Sequence, residues 1–341
     1  MAKKIKVAIN GFGRIGRAFF KMAEKRPELE VIAVNDLGDI ENFAYLLRHD
    51  TVYKTDGLEV KAKSDKSALI VNDREILYFS EKEPTKLPWG KLGVDVVVES
   101  TGLFTSFEKA KVHLTAGAKK VVISAPAKDA PTDDSEATIL LGINEEKLAK
   151  CKISSNASCT TNAASPIIAI LHEALGIEKA LLNTVHAYTA SQAIVDGPNK
   201  KDFREGRAAA QNIVPSSTGA AIAVTKAFPQ LAGLFDGISL RVPIVSGSIA
   251  DITFISKKQT STKEVNEILR RAAKEKRWQG LFAVNEDEPV SSDIVGNIHA
   301  SIADLKMTRV VGGNLVKVLA WYDNEMGYAY TLVEHVIKIG L

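Results

Sequence analysis

The sequence is poor in cysteine, has no long apolar run and carries almost no net charge, and each deficiency excludes a class of protein. Only Cys151 and Cys159 occur among 341 residues. Two cysteines are too few for a disulfide framework, so a reducing cytoplasm is the expected location. No stretch of about 18 apolar residues is present, which argues against a membrane-spanning helix. A surplus of 3 positive charges, 44 basic against 41 acidic residues, gives no electrostatic reason to expect nucleic acid or membrane binding.

What the sequence does contain is ordinary for a globular enzyme. Hydrophobic residues make up 45% and charged residues 25%, and the length predicts about two domains. In the first half, short β-branched runs alternate with helical patterns such as 14–25 and 106–116. This alternation predicts an α/β domain with a parallel sheet covered on both faces. The predicted strands of this half are 5–10, 31–35, 95–99, 120–124 and 138–141.

After about residue 155 the pattern changes to longer, more alternating strands between long helices, which predicts an α+β domain with a mostly antiparallel sheet. We therefore expect a Rossmann-type domain over 1–155 and a catalytic domain over 156–323. The segment 327–339 carries apolar residues on one face and should form a terminal helix, which the pattern alone does not assign to either domain. The strands expected here are 180–185, 237–242, 250–256 and 314–322, and the helices are 163–175, 217–227 and 263–277.

A glycine-rich turn lies between the first predicted strand and the first predicted helix. Gly11, Gly13 and Gly16 follow the G-x-G-x-x-G spacing. The first permits a tight turn, the second lets backbone N–H groups approach a pyrophosphate, and the third lets helix and strand pack closely. A plain turn is the alternative, but the strand–turn–helix context favours a dinucleotide site.

Asp36 lies 20 residues after Gly16, at the end of the second predicted strand. An acid at this place binds the ribose hydroxyls of an adenosine and repels a 2′-phosphate. No arginine follows it closely, so NAD is favoured over NADP. A helix or turn cap is the alternative role for Asp36.

Cys159 stands among small polar residues directly before a long helical pattern. A thiol at a helix N-terminus has a lowered pKa and reacts as a nucleophile. Pro166 lies inside this pattern and makes the helix start uncertain. Cys151 has no comparable setting, and we interpret it as a structural or inert thiol. A thiol nucleophile beside a nicotinamide indicates aldehyde oxidation through a thioester.

This chemistry needs a base, and six histidines are candidates. His172 and His335 lie in helical patterns and are interpreted as surface residues. His186 ends a predicted strand and begins a loop, where side chains commonly point into a site. His186 is therefore the favoured base.

Taken together, these segments resemble the phosphorylating glyceraldehyde-3-phosphate dehydrogenase family over essentially the whole chain. The match rests on the cofactor turn 10–17 and on Ser155-Asn156-Ala157-Ser158-Cys159-Thr160-Thr161-Asn162, which is highly specific. Further matching segments follow in the same order: 186–189, 217–221, 241–243 and 321–325.

The resemblance implies NAD-dependent oxidation of glyceraldehyde-3-phosphate to 1,3-bisphosphoglycerate with inorganic phosphate, in a cytoplasmic homotetramer without a metal site. It also implies that the terminal helix, 324–341, packs back onto the Rossmann-type domain. Cys159 would be the nucleophile and His186 its base. Residues that would bind NAD are Gly11, Gly13, Arg14, Ile15, Gly16, Asp36, Lys82, Ser124 and Asn324. Residues that would hold the two phosphates are Ser158, Thr160, Thr189, Arg204, Thr218, Gly219 and Arg241.

Three departures from the family pattern and two alternative functions bear on this expectation. The segment 49–55 lacks the family's usual Ser/Thr-His-Gly, so the loop near the cofactor edge is expected to differ. The family's second cysteine, four residues after the nucleophile, is Ala163 here, which removes a possible oxidative partner. The segment 244–248 replaces the family's Thr-Pro-Asn-Val-Ser and bears on local packing or subunit contacts. Erythrose-4-phosphate dehydrogenase is the closest alternative activity, but the retained Thr189 favours glyceraldehyde-3-phosphate. A catalytically silent binding protein is the other, and the presence of both Cys159 and His186 argues against it.

Overall fold

The computed structural model describes residues 3–54, 57–200 and 202–341. These residues form two compact units. The first comprises the described residues through Ile139, Asn144–Ala157 and Ala329–Leu341, and the second comprises Leu140–Ile143 and Ser158–Tyr328. No helix among the described residues is long and apolar enough to cross a membrane.

The first unit is built on a nine-stranded sheet of mostly parallel strands. Its order is β3-β4-β5-β2-β1-β6-β7-β9-β8, and only the β3–β4 and β4–β5 pairs are antiparallel. The central strands β1, β2, β6 and β7 are almost wholly buried, because helices cover a parallel sheet on both faces. The strands are β1 (Ile5–Asn10), β2 (Leu29–Asn35), β3 (Val60–Ala62), β4 (Ala68–Val71), β5 (Arg74–Phe79), β6 (Val96–Glu99), β7 (Lys120–Ile123), β8 (Glu136–Thr138) and β9 (Ile153–Ser155).

Two helices of this unit, those that begin at Ile40 and Phe107, are preceded by residues whose side chains satisfy their first N–H groups. The Asp39 carboxylate accepts hydrogen bonds from the N–H groups of Glu41 and Asn42, and the Ser106 hydroxyl accepts one from Lys109. The predicted Rossmann-type α/β architecture of this half is confirmed by the alternation of parallel strands and helices. The helices are α1 (Arg14–Ala23), α2 (Ile40–Arg48), α3 (Trp89–Leu92) and α4 (Phe107–Thr115).

The second unit contains a seven-stranded, mostly antiparallel sheet, as predicted. Its order is β11-β12-β10-β13-β16-β15-β14, with parallel pairing in β10–β12 and β14–β15 only. Strand β13 alternates strictly between buried and half-buried residues, which is the pattern of a sheet with one covered face. The strands are β10 (Ile177–Ala187), β11 (Val214–Ser217), β12 (Phe235–Val242), β13 (Ser248–Ser256), β14 (Phe282–Asn285), β15 (Ser301–Val311) and β16 (Leu315–Tyr322).

The helices of the second unit cover one face of this seven-stranded sheet. Ile167, Leu171, Val224 and Leu269 contribute to one core with the inward side chains of the strands. The core contains Phe254 of the sheet and is the main apolar cluster of the unit. Its helices are α5 (Cys159–Leu175), α6 (Ala220–Ala227), α7 (Thr262–Ala272) and α8 (Ser291–Ile294).

The last helix, α9 (Met326–Gly340), contributes its residues from Ala329 onward to the first unit. A fully buried chain of hydrogen bonds ties it there. The Ser154 hydroxyl lies 2.7 Å from Nε2 of His335, whose Nδ1 lies 3.0 Å from Oδ1, the side-chain amide oxygen, of Asn156. The Asn156 amide donates to the Thr331 hydroxyl at 3.0 Å. His335 was expected on the surface and is instead fully buried, because its ring serves this network, and burial lowers its pKa to about 3.

Candidate active site

The glycine turn has the geometry that a close approach of chain to phosphate requires. Gly11 adopts a positive φ of 94°, and a Cβ there would lie 2.5 Å from the Thr101 nitrogen. A Cβ at Gly16 would lie 2.2 Å from the Gly11 carbonyl oxygen. At Gly13, the residue before α1, no atom lies within 4 Å of an added Cβ, so its face is open. The turn thus presents the N-terminus of α1 without a side chain in front of it, which fits a pyrophosphate.

Asp36 follows β2 and lies against this turn. Its carboxylate accepts hydrogen bonds from the Phe12 N–H at 2.6 Å and from the Gly38 N–H at 3.0 Å. The carboxylate is therefore held at the strand end, half-buried, where a ribose would be bound. The hydroxyl of Tyr78 lies 2.9 Å from the backbone carbonyl oxygen of Asp36 and 2.7 Å from that of Gly38.

The other cofactor residues predicted in this unit lie at the same edge of the sheet. Lys82 follows β5 and is exposed, and Ser124 follows β7 and is half-buried. Since β5, β2, β1, β6 and β7 run parallel, their carboxyl ends meet at one edge, which is where ligands bind in such sheets. The residues fit a dinucleotide.

Arg14 and Ile15 open α1, and both are half-buried. The Arg14 guanidinium donates to the Asp50 carboxylate at 3.0 Å. Lys21 contacts the same carboxylate at 3.3 Å. Bonds from the Val52 and Tyr53 N–H groups and from Arg14 lower the pKa of Asp50 to about 2, against an opposing effect of burial. Asp50 was not predicted, because its loop is far from the glycine turn in sequence.

The predicted nucleophile stands at the first residue of the 17-residue helix α5. Ser158 precedes it and caps the helix, since its hydroxyl accepts the Thr161 N–H at 3.0 Å. Pro166 lies inside the helix without ending it. The expectation that the Cys159 sulfur lies at a helix N-terminus agrees with this geometry. Cys151, by contrast, is buried, and burial raises its pKa to about 11.

His186 lies at the end of β10 with its Nε2 3.4 Å from the Cys159 Sγ. Its Nδ1 lies 2.6 Å from the Ala187 carbonyl oxygen, which can only accept, so Nδ1 carries the proton. The Nε2 atom of a neutral ring is then a lone-pair acceptor facing the thiol. This is the tautomer that a base for Cys159 requires.

Two opposing effects act on this pair. Burial raises the pKa of Cys159, and burial together with the Arg241 guanidinium lowers the pKa of His186 to about 3. Arg241 and hydrogen bonds from Thr160 act in the other direction at Cys159 and lower its pKa. Burial is the larger effect, so the net change in the Cys159 pKa is upward, against the lowering expected at a helix N-terminus.

Arg241 reaches this pair because β12 runs parallel to β10. His186 and Arg241 are direct partners in the register of these strands. The Arg241 Nη1 lies 3.5 Å from the Ala187 carbonyl oxygen, and its Nε is buried without a hydrogen-bond partner. A half-buried guanidinium whose buried Nε donor is unused fits an anion.

The remaining predicted phosphate residues occupy less enclosed positions. Thr189 is half-buried and its hydroxyl lies 3.0 Å from that of Ser191. Arg204 is exposed on a short turn. The Thr218 hydroxyl accepts the Ala220 N–H at 3.2 Å, and Gly219 precedes α6 with open space around it. Among the described contacts, none joins Thr189, Arg204 or Thr218 to Cys159.

Tyr322 is a site residue that sequence reasoning did not assign a role. Its hydroxyl lies 2.8 Å from the hydroxyls of both Thr160 and Thr184. Its ring centroid lies 6.0 Å from that of His186. The fully buried tyrosine therefore contacts the residue that follows Cys159 and packs against His186. Its place on the buried side of β16 was the signal that could have found it.

Asn324 belongs to the second unit and follows β16. Its amide oxygen accepts hydrogen bonds from the Gly247 N–H at 3.2 Å and from the Ser248 hydroxyl at 3.0 Å. The segment 244–248 that departs from the family pattern thus contacts a predicted cofactor residue directly. No group of three or more His, Cys, Asp or Glu among the described residues could hold a metal ion.

A glycine turn that fits a dinucleotide in the first unit, and a helix-terminal thiol beside a histidine in the second, are features of a nicotinamide-dependent oxidoreductase. Comparison with known proteins agrees with this class. Residues 5–107 match the family model "Glyceraldehyde 3-phosphate dehydrogenase, NAD binding domain", and residues 158–324 match "Glyceraldehyde 3-phosphate dehydrogenase, C-terminal domain". The chain belongs to the glyceraldehyde-3-phosphate dehydrogenase family, and its cofactor is NAD.

Full-length relatives carry the same name. Glyceraldehyde-3-phosphate dehydrogenase 2 of Streptomyces avermitilis is 47% identical over 339 residues, which cover 98% of each chain. Glyceraldehyde-3-phosphate dehydrogenase of Geobacillus stearothermophilus is 45% identical over 332 residues, 97% of this chain and 96% of that one. The resemblance first inferred from motifs is therefore confirmed along the whole chain.

Proposed function

We propose that this protein oxidises glyceraldehyde-3-phosphate with NAD and inorganic phosphate to 1,3-bisphosphoglycerate, as a step of glycolysis and gluconeogenesis. The observation that carries the proposal is the pairing of the Cys159 Sγ with the His186 Nε2 at 3.4 Å. The pair lies at a helix N-terminus, and the unpaired Arg241 Nε is buried close by.

The chemistry follows from the positions of the protons. The sulfur of Cys159 bonds to the aldehyde carbon, and its proton passes by way of the His186 Nε2 to the carbonyl oxygen, which becomes a hydroxyl. In the oxidation step His186 takes the proton of that hydroxyl, and a thioester remains. When bound, NAD supplies the acceptor for the hydrogen and electron pair on the aldehyde carbon. A phosphate oxygen then attacks the thioester carbon, and the sulfur leaves as the thiol with the proton that His186 held.

The substrate phosphate and the inorganic phosphate each need hydrogen-bond donors from the protein. Thr189 and Arg241 hold the substrate phosphate, and Arg204 supports the anion sites. Ser158, Thr160, Thr218 and Gly219 hold the attacking inorganic phosphate. The residues that hold NAD are Gly11, Gly13, Arg14, Ile15, Gly16, Asp36, Lys82 and Ser124, with Asn324 on the nicotinamide side.

In the alternative activity, erythrose-4-phosphate dehydrogenase, water rather than phosphate cleaves the thioester. Both relatives described above carry the name glyceraldehyde-3-phosphate dehydrogenase, and Thr189 is present, so this alternative is not favoured.

The direct test is NADH formation from glyceraldehyde-3-phosphate with and without inorganic phosphate. We expect sustained NADH formation only with phosphate, because without it the thioester accumulates after about one turnover. Erythrose-4-phosphate serves as the control substrate. Equal sustained rates without phosphate would indicate hydrolysis and refute phosphorolysis.

Asp36 should set the cofactor preference, because its carboxylate occupies the position where a 2′-phosphate would lie. We expect Asp36→Ala to weaken NAD binding by about 10- to 100-fold, since hydrogen bonds to a charged group contribute about 1.5–3 kcal/mol. Discrimination against NADP should relax at the same time. Calorimetric titration of the protein and the variant with both cofactors measures the change. Equal affinity of the unmutated protein for NAD and NADP would contradict this role.

The proposed assembly is a homotetramer. The second unit has an uncovered sheet face on which Leu181, Ile238 and Leu315 are exposed. Exposed apolar side chains grouped on one face commonly mark an interface between proteins. We infer that a second copy covers this face. Light scattering in solution measures the mass, and a monomer would refute the assembly.

Cofactor binding and catalysis are assigned to different parts of the chain. We propose that residues 1–155, together with the C-terminal helix 324–341, bind NAD. Residues 156–323 carry out catalysis. A cytoplasmic location is proposed as well, because both cysteines are free thiols and the reaction needs Cys159 reduced.

A further inference from the structure

Ser248, the first residue of β13, is fully buried, and its hydroxyl joins two elements of the site. The oxygen accepts a hydrogen bond from the Ala187 N–H at 3.1 Å. The same hydroxyl donates its only proton to the amide oxygen of Asn324 at 3.0 Å. The direction of both bonds is fixed, because a backbone N–H only donates and a hydroxyl has one proton.

On one side, the hydroxyl holds the residue that orients the base. Ala187 is held at its N–H by Ser248 and at its carbonyl oxygen by the His186 Nδ1 at 2.6 Å. The carbonyl selects the tautomer with the proton on Nδ1, which leaves Nε2 as the acceptor toward Cys159. A shift of Ala187 would therefore release the constraint on the His186 ring.

On the other side, the hydroxyl fixes which way the amide of Asn324 points. The Asn324 oxygen accepts from both Gly247 and Ser248, so its two lone pairs are used. A flipped amide would place its NH₂ group against the Gly247 N–H, and two donors repel. The NH₂ group must therefore face away from segment 247–248 as a donor.

We propose that Ser248 is a positioning residue that fixes both the acceptor nitrogen of His186 and the donor orientation of Asn324 toward the cofactor. The inference rests on the proposed function, which assigns His186 as base and Asn324 to the nicotinamide side. Because one hydroxyl serves both residues, its loss alters thiol reactivity and cofactor affinity together. If Ser248 had only a structural role, its replacement in a protein that still folds would change neither thiol reactivity nor cofactor affinity.

The test compares Ser248→Ala with Ser246→Ala as a matched control. Ser246 is also buried in this segment, and its hydroxyl donates to the Asp323 carboxylate at 3.0 Å. Asp323 keeps three backbone donors without it, from Gly296, Glu325 and Met326. Removal of the Ser246 hydroxyl thus leaves both sides of the proposed connection intact.

Two measurements are made on each full-length variant. The first is the pH dependence of Cys159 alkylation by iodoacetamide without cofactor, followed by peptide mass. The second is calorimetric titration with NADH. For S248A we expect alkylation near neutral pH to slow, and NADH affinity to fall, each about 3- to 10-fold, the range of one neutral hydrogen bond. For S246A we expect both to stay at the unmutated values.

Two further variants separate this inference from the proposed function. His186→Asn should change only the alkylation profile, and Asn324→Asp, which keeps the oxygen but loses the NH₂ group, should change only NADH affinity. If these two variants change nothing, the proposed function fails. If they behave as expected but S248A matches S246A, the role of Ser248 alone is overturned.

Thermal unfolding checks that each variant is folded. Should S248A not be recovered folded, Ser248→Cys replaces it, because a thiol retains the shape with a much weaker donor and acceptor. Slower alkylation of Cys159 and weaker NADH binding in S248C support the role. Unmutated behaviour of S248C in both measurements overturns it.

Discussion

Replacement of Cys159 by alanine should abolish NADH formation from glyceraldehyde-3-phosphate, with a loss of at least about a thousandfold, as is usual when a covalent nucleophile is removed. The sulfur forms the bond to the aldehyde carbon, and His186 has no other described thiol within reach. NAD affinity should change little, because Gly11, Gly13 and Asp36 belong to the other unit. Steady-state absorbance of NADH and a calorimetric titration with NAD measure the two effects.

Cys151→Ser is the matched control for this prediction. Cys151 is buried, and its pKa is raised to about 11, so it should neither react with iodoacetamide nor affect turnover. Cys159→Ser should behave like the alanine variant, because a serine hydroxyl is far less acidic than a thiol. A fully active C159A protein, or alkylation of Cys151 before Cys159, would refute the mechanism.

Replacement of Arg241 by alanine should raise the KM for glyceraldehyde-3-phosphate by about 10- to 100-fold. The guanidinium is half-buried with an unused Nε donor, and a hydrogen bond to a charged group contributes about 1.5–3 kcal/mol. Unphosphorylated glyceraldehyde has no phosphate for Arg241 to bind, so its KM should change much less. Initial-rate kinetics with both substrates give the ratio.

Arg241 also lowers the pKa of Cys159, so its removal raises that pKa and slows both substrates alike. The ratio of the two KM changes isolates the phosphate contact from this effect. Arg204→Ala is a suitable control, since Arg204 is exposed and should have a smaller effect. Equal losses for both substrates in R241A would show that the arginine does not bind the phosphate.

Local sequence features predicted the structure correctly where a short motif folds into one continuous local structure. The glycine turn predicted a strand, a tight turn and a helix, and β1, Gly11 and α1 have that arrangement. The small polar residues around Cys159 predicted a helix start, although the pattern alone placed it at residue 163. Pro166 obscured the first turn, and the Ser158 cap shows that the helix begins at Cys159.

Local sequence patterns could not predict which strands, far apart in the sequence, pair in the sheet. Nothing near His186 or Arg241 indicates that β10 and β12 are parallel neighbours inside a mostly antiparallel sheet, yet this register puts the two side chains together. The short strands β3, β4 and β5 and the long strand β15 were also missed. The first three are brief and partly exposed, and β15 carries no strict alternation. The strand expected at 138–141 lies at Glu136–Thr138.

Polar residues whose partners lie far along the chain were the least predictable. Ser248 and Ser246 are both serines in one segment, and only their partners, Asn324 and Asp323, distinguish their roles. His335 looked like a surface histidine because a helical pattern does not show which polar side chain has a buried acceptor. Asp50 and Tyr322 were missed for the same reason.

The hydrogen bonds that anchor α9 have a consequence for how the chain folds while it is being made. Residues 331–335 leave the ribosome only after the entire second unit, yet Ser154 and Asn156 need them as partners across 181 and 175 residues. An N-terminal domain usually folds first during synthesis, but here the first unit cannot complete its fold until the C-terminal helix has been made. The intervening 158–328 segment can close its own contacts early, which shortens the loop that the late helix must close. The cofactor unit is thus the first to be synthesised and the last to be finished.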